Sequence, residues 1–480
     1  MSTHRLEPDE NDVHAPRFRV RPPANWINDP NGPFRWRGRY HLFYQHNPDA
    51  PVHTNMHWGH VSSADLAHWE HHPIALTPTP GGPDEGGCWS GCVVADAGIP
   101  TAVYTGIDHA HTGTGRICLA QASPDSPELT TWHTLPEPVV PGPPPGLDVT
   151  MFRDPFVFRH GGRRWAVVGA GHADGTPSAL LYDCDDLRSW RFAGVLVDGH
   201  DPVAQKAFGS GAVGWECPQL FEGDGGDWTL VVSLWDGSPL STGYLTGRLI
   251  TSGDRNLTGF TPHVGGPLDL GRDCYAPAVL HDTAAGRNLL WGWSWEARGQ
   301  REVDEAGWSG VLTAPRVIGT HPDGMVRVSP APELQLLRAQ TPFVTEQDSR
   351  APLPLAYDIE VTAVAPTTVT LLRAASGAGL TLTLDPAAGT VMLDRAAWPR
   401  ERPDERSGGA APITLKSPPA TSEGLDVRIL VDGSLLELFV TDRAVATERI
   451  YARPDDVAEL TVVGEGARVT GWEVTPPGHE

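Results

Sequence analysis

The chain has 480 residues, too many for a single hydrophobic core, so two domains are expected. Its formal net charge of −23 at pH 7 argues against nucleic acid or an anionic membrane as a partner, and it suits a neutral ligand such as a sugar. The sequence contains no apolar run of transmembrane length and no signal-peptide core after Met1, which predicts a cytoplasmic protein.

The positions of glycine, proline and cysteine indicate the fold class and bear on whether a metal or cofactor is bound. Gly and Pro make up about a fifth of the residues and are dispersed, which is typical of tight turns between short strands and predicts an all-β protein. The six cysteines show no zinc-ligand spacing, and the pairs His71-His72 and His109/His111 lack a third ligand. No phosphate loop or dinucleotide motif is present, so neither a metal nor a cofactor is predicted.

One unit recurs along the first two thirds of the chain, after a polar stretch over residues 1–20 that predicts a loose lead-in. Each unit has an acid or polar motif, a short strand, a Gly-rich turn and a strongly apolar strand. Any single acid-proline pair could equally be an ordinary turn. Turns alone do not explain why an acid or polar motif precedes an apolar strand each time, at one regular spacing. The markers are spaced by 61, 64, 62 and 57 residues and are Asp29, Ser90, Asp154, Glu216 and Asp273.

This period predicts a five-bladed β-propeller, because blades of four strands repeat at such intervals. The innermost strand of every blade lines the central channel. Side chains at equivalent positions of different blades therefore converge near one axis, and we expect the markers to share one pocket.

The pattern changes after about residue 320. A Pro-containing linker is predicted over residues 326–345, with a short helix at residues 333–338. From 346 to 480 short strands with alternating apolar residues predict a β-sandwich, interrupted by a long loop at residues 400–425. The predicted domains are thus a propeller over residues 1–325, the linker, and a sandwich over residues 346–480.

Several motifs resemble those of the invertase, levanase and inulinase family of β-fructosidases, glycoside hydrolase family 32, in order, spacing and neighbours. They cover nearly the whole chain and include Trp26-Ile27-Asn28-Asp29-Pro30-Asn31-Gly32, Phe43-Tyr44-Gln45-His46-Asn47-Pro48, His57-Trp58-Gly59-His60, Trp89-Ser90-Gly91, Arg153-Asp154-Pro155, Glu216-Cys217-Pro218 and Trp308-Ser309-Gly310. The resemblance implies a five-bladed propeller joined to a sandwich, and a retaining enzyme that removes terminal fructose from sucrose or fructan oligosaccharides.

The resemblance also implies the role of each site residue. Asp29 is expected to be the nucleophile, Glu216 the general acid/base and Asp154 a stabiliser that holds two fructosyl hydroxyls, with Arg153 beside it. Retaining glycosidases need such a pair of carboxylates roughly 5 Å apart. Expected hydroxyl contacts are Asn28, Gln45, Ser90 and Asp273, and the expected pocket walls are Trp26, Trp58 and Trp89.

Two positions depart from the family pattern. His53-Thr54 stands where many members have Trp-Gly, and Trp89 stands where Phe is usual. The first removes an expected aromatic wall and is expected to alter the shape of the pocket near the leaving group, and either is expected to shift substrate preference.

Three other functions remain open from the residues. A fructosyltransferase would use the same site with a sugar in place of water. An inverting glycosidase acting on arabinan or xylan would not need Asp29 as a nucleophile. A non-catalytic fructan-binding protein would have no reason to keep three converging acids in a dry site.

Overall fold

The computed structural model describes residues 12–110, 113–253, 256–345, 350–398, 411–419 and 424–474. The predicted all-β class is confirmed. Across these ranges there are two α-helices of seven residues each, α1 (Pro202–Phe208) and α2 (Gln300–Ala306). Two 3₁₀ segments, Asp224–Gly226 and Pro332–Leu337, complete the helical part. The second lies where the short linker helix was predicted.

Strands in residues 25–330 form five sheets among the described residues, each built mainly from consecutive antiparallel strands. In chain order they are β1 (Asn25–Trp36), β2 (Arg39–Asn47), β3 (His57–Ser63), β4 (Glu70–Leu76), β5 (Gly87–Asp96), β6 (Ile99–Ile107), β7 (Arg116–Ala122), β8 (Trp132–Thr134), β9 (Val149–His160), β10 (Arg163–His172), β11 (Pro177–Asp183), β12 (Arg191–Asp198), β13 (Gly214–Glu222), β14 (Trp228–Trp235), β15 (Pro239–Ser252), β16 (Asn256–Pro267), β17 (Tyr275–Asp282), β18 (Arg287–Ser294), β19 (Trp308–Ser309), β20 (Val311–Leu312), β21 (Arg316–Thr320) and β22 (Val326–Pro330).

The first strand of each sheet contacts the first strand of the next. These strands, β1, β5, β9, β13 and β17, are called the ring strands here. β1 contacts β5, β5 contacts β9, β9 contacts β13 and β13 contacts β17, and β17 contacts β1 again. The contacts therefore form a closed cycle. Strand β19 pairs in parallel with β1, which ties the end of this region to its start.

Hydrophobic cores fill the gaps between neighbouring sheets. Trp165 of the third sheet and Trp215 of the fourth, for example, share one core with Leu230. Strands such as β14, with the sequence WTLVVSLW, are buried along almost their whole length because sheets cover both of their faces. The apolar runs in the sequence thus mark strands that lie between two layers.

Residues 350–474 contain two more sheets within the described ranges, a six-stranded one in the order β23-β32-β25-β26-β27-β28 and a five-stranded one in the order β31-β30-β29-β24-β33. Both contribute to one apolar core that includes Ile359, Leu382 and Leu438. The strands are β23 (Arg350–Pro352), β24 (Ala356–Ala363), β25 (Thr367–Arg373), β26 (Gly379–Asp385), β27 (Thr390–Asp394), β28 (Ile413–Lys416), β29 (Leu425–Asp432), β30 (Leu435–Val440), β31 (Ala444–Arg449), β32 (Val457–Val463) and β33 (Arg468–Glu473).

Two local predictions need correction. The expected loop over residues 400–425 contains strand β28, while residues 400–410 and 420–423 lie outside the described residues. The expected loose lead-in is ordered from residue 12 onward. The backbone N–H groups of Arg17, Phe18 and Arg19 donate to the buried carboxylate of Asp432 at 2.7–3.0 Å. Residues 1–11 lie outside the described part of the chain.

A buried ion pair joins the two regions. Arg316 of β21 donates to Glu437 of β30 at 2.8 Å and to Asp269 at 2.8 Å, and all three side chains are almost fully buried. A buried pair of this kind is costly to break from one side, so it fixes the second region against the first.

Neither α-helix of the described residues is long and apolar enough to span a bilayer.

Candidate active site

A β-bulge occurs at the same level in every ring strand. In each case two consecutive residues stand opposite one residue of the neighbouring strand. A bulge bends the strand and changes the direction of its side chains. The residue pairs are Asn28-Asp29, Trp89-Ser90, Asp154-Pro155, Cys217-Pro218 and Ala276-Pro277.

The bulges explain the recurring proline. Proline lacks an N–H and is tolerated in sheets at bulges, where a residue is left out of the hydrogen-bond ladder. Asp154, Cys217 and Ala276 have positive φ values of 63°, 46° and 47°. Such a conformation is unfavourable for residues with a Cβ and concentrates at functional sites.

Asp29 lies in a network of hydrogen bonds. The Ser90 hydroxyl donates to Oδ2 at 2.5 Å, and the Asn28 amide donates to Oδ1 at 3.0 Å. The ring N–H of Trp26 donates to Asn28 at 2.7 Å and so fixes the amide. The carboxylate is thereby held in one orientation and remains partly exposed.

Asp154 lies deeper, at 5% exposure. Its Oδ2 accepts the backbone N–H of Cys217 at 3.0 Å. The Cys217 thiol lies 3.5 Å from the same oxygen and 3.4 Å from Oδ2 of Asp29, so it bridges the two carboxylates. The residue that follows Glu216 therefore contacts both aspartates.

Glu216 is positioned by two neighbours. Arg153 donates to Oε1 from Nε at 2.9 Å and from a terminal nitrogen at 2.8 Å. The Tyr275 hydroxyl donates to Oε2 at 2.5 Å. The guanidinium of Arg153 lies between the rings of Trp89 and Trp235, at 5.6 and 5.0 Å from their centroids. The ring stacking and the ion pair together fix the direction of the Glu216 carboxyl group.

Electrostatics disfavour full ionisation of these acids. Burial and, to a smaller extent, the charge of Glu216 raise the pKa of Asp154 to about 7, although Arg153 acts in the opposite direction. Burial also raises the pKa of Asp29, against the hydrogen bond from Ser90. Burial keeps the pKa of the Cys217 thiol well above its ordinary value, so the thiol remains a hydrogen-bond donor.

The predicted contact residues divide into two layers. Trp26, Asn28, Ser90 and Arg153 adjoin the carboxylates, and Trp89 is half-buried beside them. Gln45 and Trp58 lie behind this layer: Gln45 is 1% exposed and donates to the carbonyl of Cys88, and Trp58 is fully buried and donates to the carbonyl of Trp89. Trp58 therefore supports Trp89 from behind and does not itself form the wall.

Asp273 bonds to groups outside the carboxylate cluster. It is fully buried, and it accepts the ring N–H of Trp295 at 2.7 Å and the backbone N–H of Arg449 at 2.7 Å. The bulge of the strand that follows it, β17, lies at Ala276-Pro277, three residues later, so the acid is out of register with the other markers. These bonds link the residues before β17 to β31, and the hydroxyl contact expected of Asp273 stays a prediction.

Three features near the cluster were not predicted from the sequence: Cys217 as a bridge, Tyr275 and Trp235. Tyr275 follows Asp273 by two residues, and its place directly before the fifth bulge is the signal that could have identified it. Trp235 is the last residue of a predicted strand, and nothing else in the sequence indicated that it lies near the site. His53 was expected near the leaving group, and its ring lies beside Trp26 and Trp89.

Metal ligation has no support in the part of the chain that is described, where no group of three or more His, Cys, Asp or Glu side chains is arranged to hold an ion. All six cysteines are free and buried.

A pair of carboxylic acids is what most glycoside hydrolases use to cleave a glycosidic bond, and this cluster contains two that are partly exposed, Asp29 and Glu216. The fold and the site together define a glycoside hydrolase. The chain belongs to glycosyl hydrolase family 32: the N-terminal domain of that family matches residues 19–330, and its C-terminal domain matches residues 335–475. The family expected from the motifs is confirmed.

Relatives cover nearly the whole chain. A raffinose invertase of Escherichia coli is 32% identical over 466 residues, which cover 92% of this chain and 90% of that protein. A sucrose-6-phosphate hydrolase of Zymomonas mobilis is 31% identical over an alignment that covers 89% of this chain and 84% of that protein. One similar solved structure is that of a mutant Bombyx mori β-fructofuranosidase of family 32 in complex with sucrose. It superposes with a TM-score of 0.79 at 27% sequence identity, and the superposition covers 97% of this chain and 95% of that chain.

Proposed function

We propose that this protein is a retaining β-fructofuranosidase that hydrolyses terminal non-reducing fructosyl residues of sucrose or fructan oligosaccharides. The observation that carries the proposal is the convergence of Asp29, Asp154 and Glu216 through Cys217, Ser90 and Arg153. Family membership and the names of the relatives, which include an invertase and a β-fructofuranosidase with bound sucrose, support the choice of substrate.

The same proposal includes the architecture. The described residues up to 330 form a five-bladed β-propeller, since β22 (Val326–Pro330) belongs to the fifth sheet and moves the predicted boundary from 325 to 330. Residues 331–345 form the linker, and the described residues from 350 to 474 form a β-sandwich. The closed cycle of ring-strand contacts and the shared core of the last two sheets support this arrangement. In a propeller the ring strands line the channel, which accounts for acids from separate sheets in one cluster.

In the first step Asp29 attacks the anomeric carbon of the fructosyl unit, and Glu216 gives its proton to the leaving oxygen. In the second step Glu216 takes a proton from water, which then attacks the same carbon and releases Asp29. Asp154 holds fructosyl hydroxyls whose hydrogen bonds strengthen as positive charge develops on the ring. Tyr275 and Arg153 keep Glu216 aimed during both steps.

The test is the initial rate of fructose release from sucrose, raffinose, levan and inulin, with the anomeric form of the first product followed by NMR. Retention requires β-fructofuranose to appear first. Release of the opposite anomer would overturn the double displacement, and release of no fructose from any substrate would leave a binding protein. Chain extension at high sucrose concentration would instead identify a fructosyltransferase.

A further inference from the structure

His53 lies in the segment between β2 and β3, exposed at the surface beside the carboxylate cluster. Its ring stands edge-on to Trp26, at 6.0 Å and 82°, and edge-on to Trp89, at 5.8 Å and 75°. These tryptophans belong to β1 and β5, so the imidazole bridges two neighbouring sheets. Edge-to-face packing on two indoles fixes the plane of the ring.

His53 is the first member of a continuous row of side chains. The ring of Trp89 packs edge-to-face with His53, and the guanidinium of Arg153 lies over the face of the same ring. The guanidinium also lies over the ring of Trp235. The row thus leads from His53 to Arg153, which holds Glu216. Because Glu216 protonates the leaving oxygen, groups along this row border the leaving group, whereas Asp29 and Asp154 border the fructosyl ring.

The charge around His53 restricts what it can bind. His53 is exposed, but the protein atoms packed around its ring exclude part of the water, and this desolvation lowers its pKa. The charges of Asp29 and Glu216 act in the opposite direction, and the charge of Arg153 lowers the pKa further. A neutral imidazole offers one donor and one acceptor, which matches a hydroxyl group. Arg153 is already paired with Glu216, so an anionic leaving group in this position would face Asp29 and Glu216.

We propose that His53 selects the leaving group: its imidazole, held between Trp26 and Trp89, hydrogen bonds a hydroxyl of a neutral sugar and disfavours a sugar phosphate. This inference rests on the proposed fructosidase function and specifies the leaving-group side of the same site. Water or a sugar acceptor enters from the same side in the second step, so His53 also contacts the acceptor.

The experiment compares the wild type with His53→Phe, which keeps an aromatic ring without hydrogen bonds, and His53→Gln, which keeps a donor and an acceptor. His133→Ala, at an exposed histidine on the outer strand β8, is the matched control. The measurements are kcat/KM for sucrose and for sucrose 6-phosphate, and the inhibition constant of free fructose. Fructose reports the fructosyl side of the site alone.

We expect the wild type to prefer sucrose over its 6-phosphate. His53→Phe is expected to lose about tenfold in kcat/KM for sucrose, the value of one hydrogen bond, while His53→Gln stays within about threefold. The inhibition constant of fructose stays unchanged in every variant, as does the activity of His133→Ala.

Three results would overturn the inference alone: sucrose hydrolysis by His53→Phe at the wild-type rate, a parallel rise of the fructose inhibition constant, or a wild-type preference for the phosphorylated substrate. A wild-type protein that releases no fructose from either substrate overturns the proposed function, and this inference with it.

Discussion

The two ends of the ring strands have opposite characters. At one end, the bulges contain Asp29 and Asp154, and Glu216 stands directly before the bulge of its strand. Beyond the bulges the same strands line a cavity of about 550 Å³ with mainly apolar side chains, including Phe34, Val94, Phe156, Leu220 and Val279. The backbone pairing is the same antiparallel ladder on both sides of each bulge.

The difference lies in the extra residue that each ring strand carries at the level of the acids. A regular strand alternates its side chains between two faces, and a bulge interrupts that alternation. Acids can then be turned together at one end while the remainder of the strand stays apolar and packs between sheets. We infer that the bulge end serves the chemistry at a cost in stability, and the apolar end supplies the stability.

The largest expected effect comes from replacing the acids at the bulge end, which tests whether chemistry and stability belong to opposite ends of the ring strands. Asp29→Asn and Glu216→Gln are expected to lower kcat by about 10³-fold or more, because each removes a group that acts on the reacting atoms. The melting temperature should not fall. Glu222→Gln is the matched control, because this exposed acid lies on the same strand as Glu216 at the apolar end. A large loss of kcat in the control would contradict the division.

The apolar end should show the reverse behaviour. Leu220 is 1% exposed and packs in the core between the third and fourth sheets. Leu220→Ala is expected to cost about 2–5 kcal/mol in the free energy of unfolding, since it leaves a cavity. Denaturant unfolding measures this cost, and kcat/KM of the folded variant should stay within about twofold. A loss of activity without a loss of stability would show that the ends are not separable.

Tyr275 tests how finely the bulge end is arranged. Tyr275→Phe removes the hydroxyl that donates to Glu216 and keeps the ring stacked on Trp295. We expect a fall of about 10- to 100-fold in kcat/KM, as for the loss of one hydrogen bond to a charged group. The melting temperature should change little, because the ring and its packing on Trp295 remain. An unchanged kcat/KM would reduce Tyr275 to a packing residue.

The smallest expected effect is the loss of folding stability caused by ionisation of the buried acid Asp154. Burial raises the pKa of Asp154 to about 7, whereas it is near 3.8 in an exposed chain. The folded protein therefore keeps this proton between pH 4 and 7, and stability is lost as pH rises through that window. Asp154→Asn cannot ionise, so its melting temperature should exceed that of the wild type by a few degrees at pH 8 and match it near pH 4. Equal melting temperatures at pH 8 would refute this account.

Much of the architecture follows from sequence because the apolar runs are long and regular. Strand β14 (Trp228–Trp235) and strand β30 (Leu435–Val440) have the predicted limits, since turns border them on both sides. Strand β28 was missed, because its four residues lie in a Pro- and Ser-rich stretch. The ordered segment from residue 12 was missed because its partner, Asp432, is distant in sequence.

The site was less predictable than the fold, for a geometric reason. A period of about sixty residues locates a unit within a few positions, but a bulge selects one position. For Asp29, Ser90 and Asp154 the marker lies in the bulge itself. For Asp273 it lies three residues before the bulge, and Tyr275 stands next to the bulge instead. Gln45 and Trp58 were recognised by type, but their depth depends on packing that no motif records.

The attachment of the first described residues to Asp432 has a consequence for biosynthesis. Arg17 and its acceptor are separated by 415 positions in the chain. A ribosome works from the N-terminus, so it must add the 415 residues that separate the two groups before this contact can form. Nascent chains released before Asp432 is made therefore lack this bond.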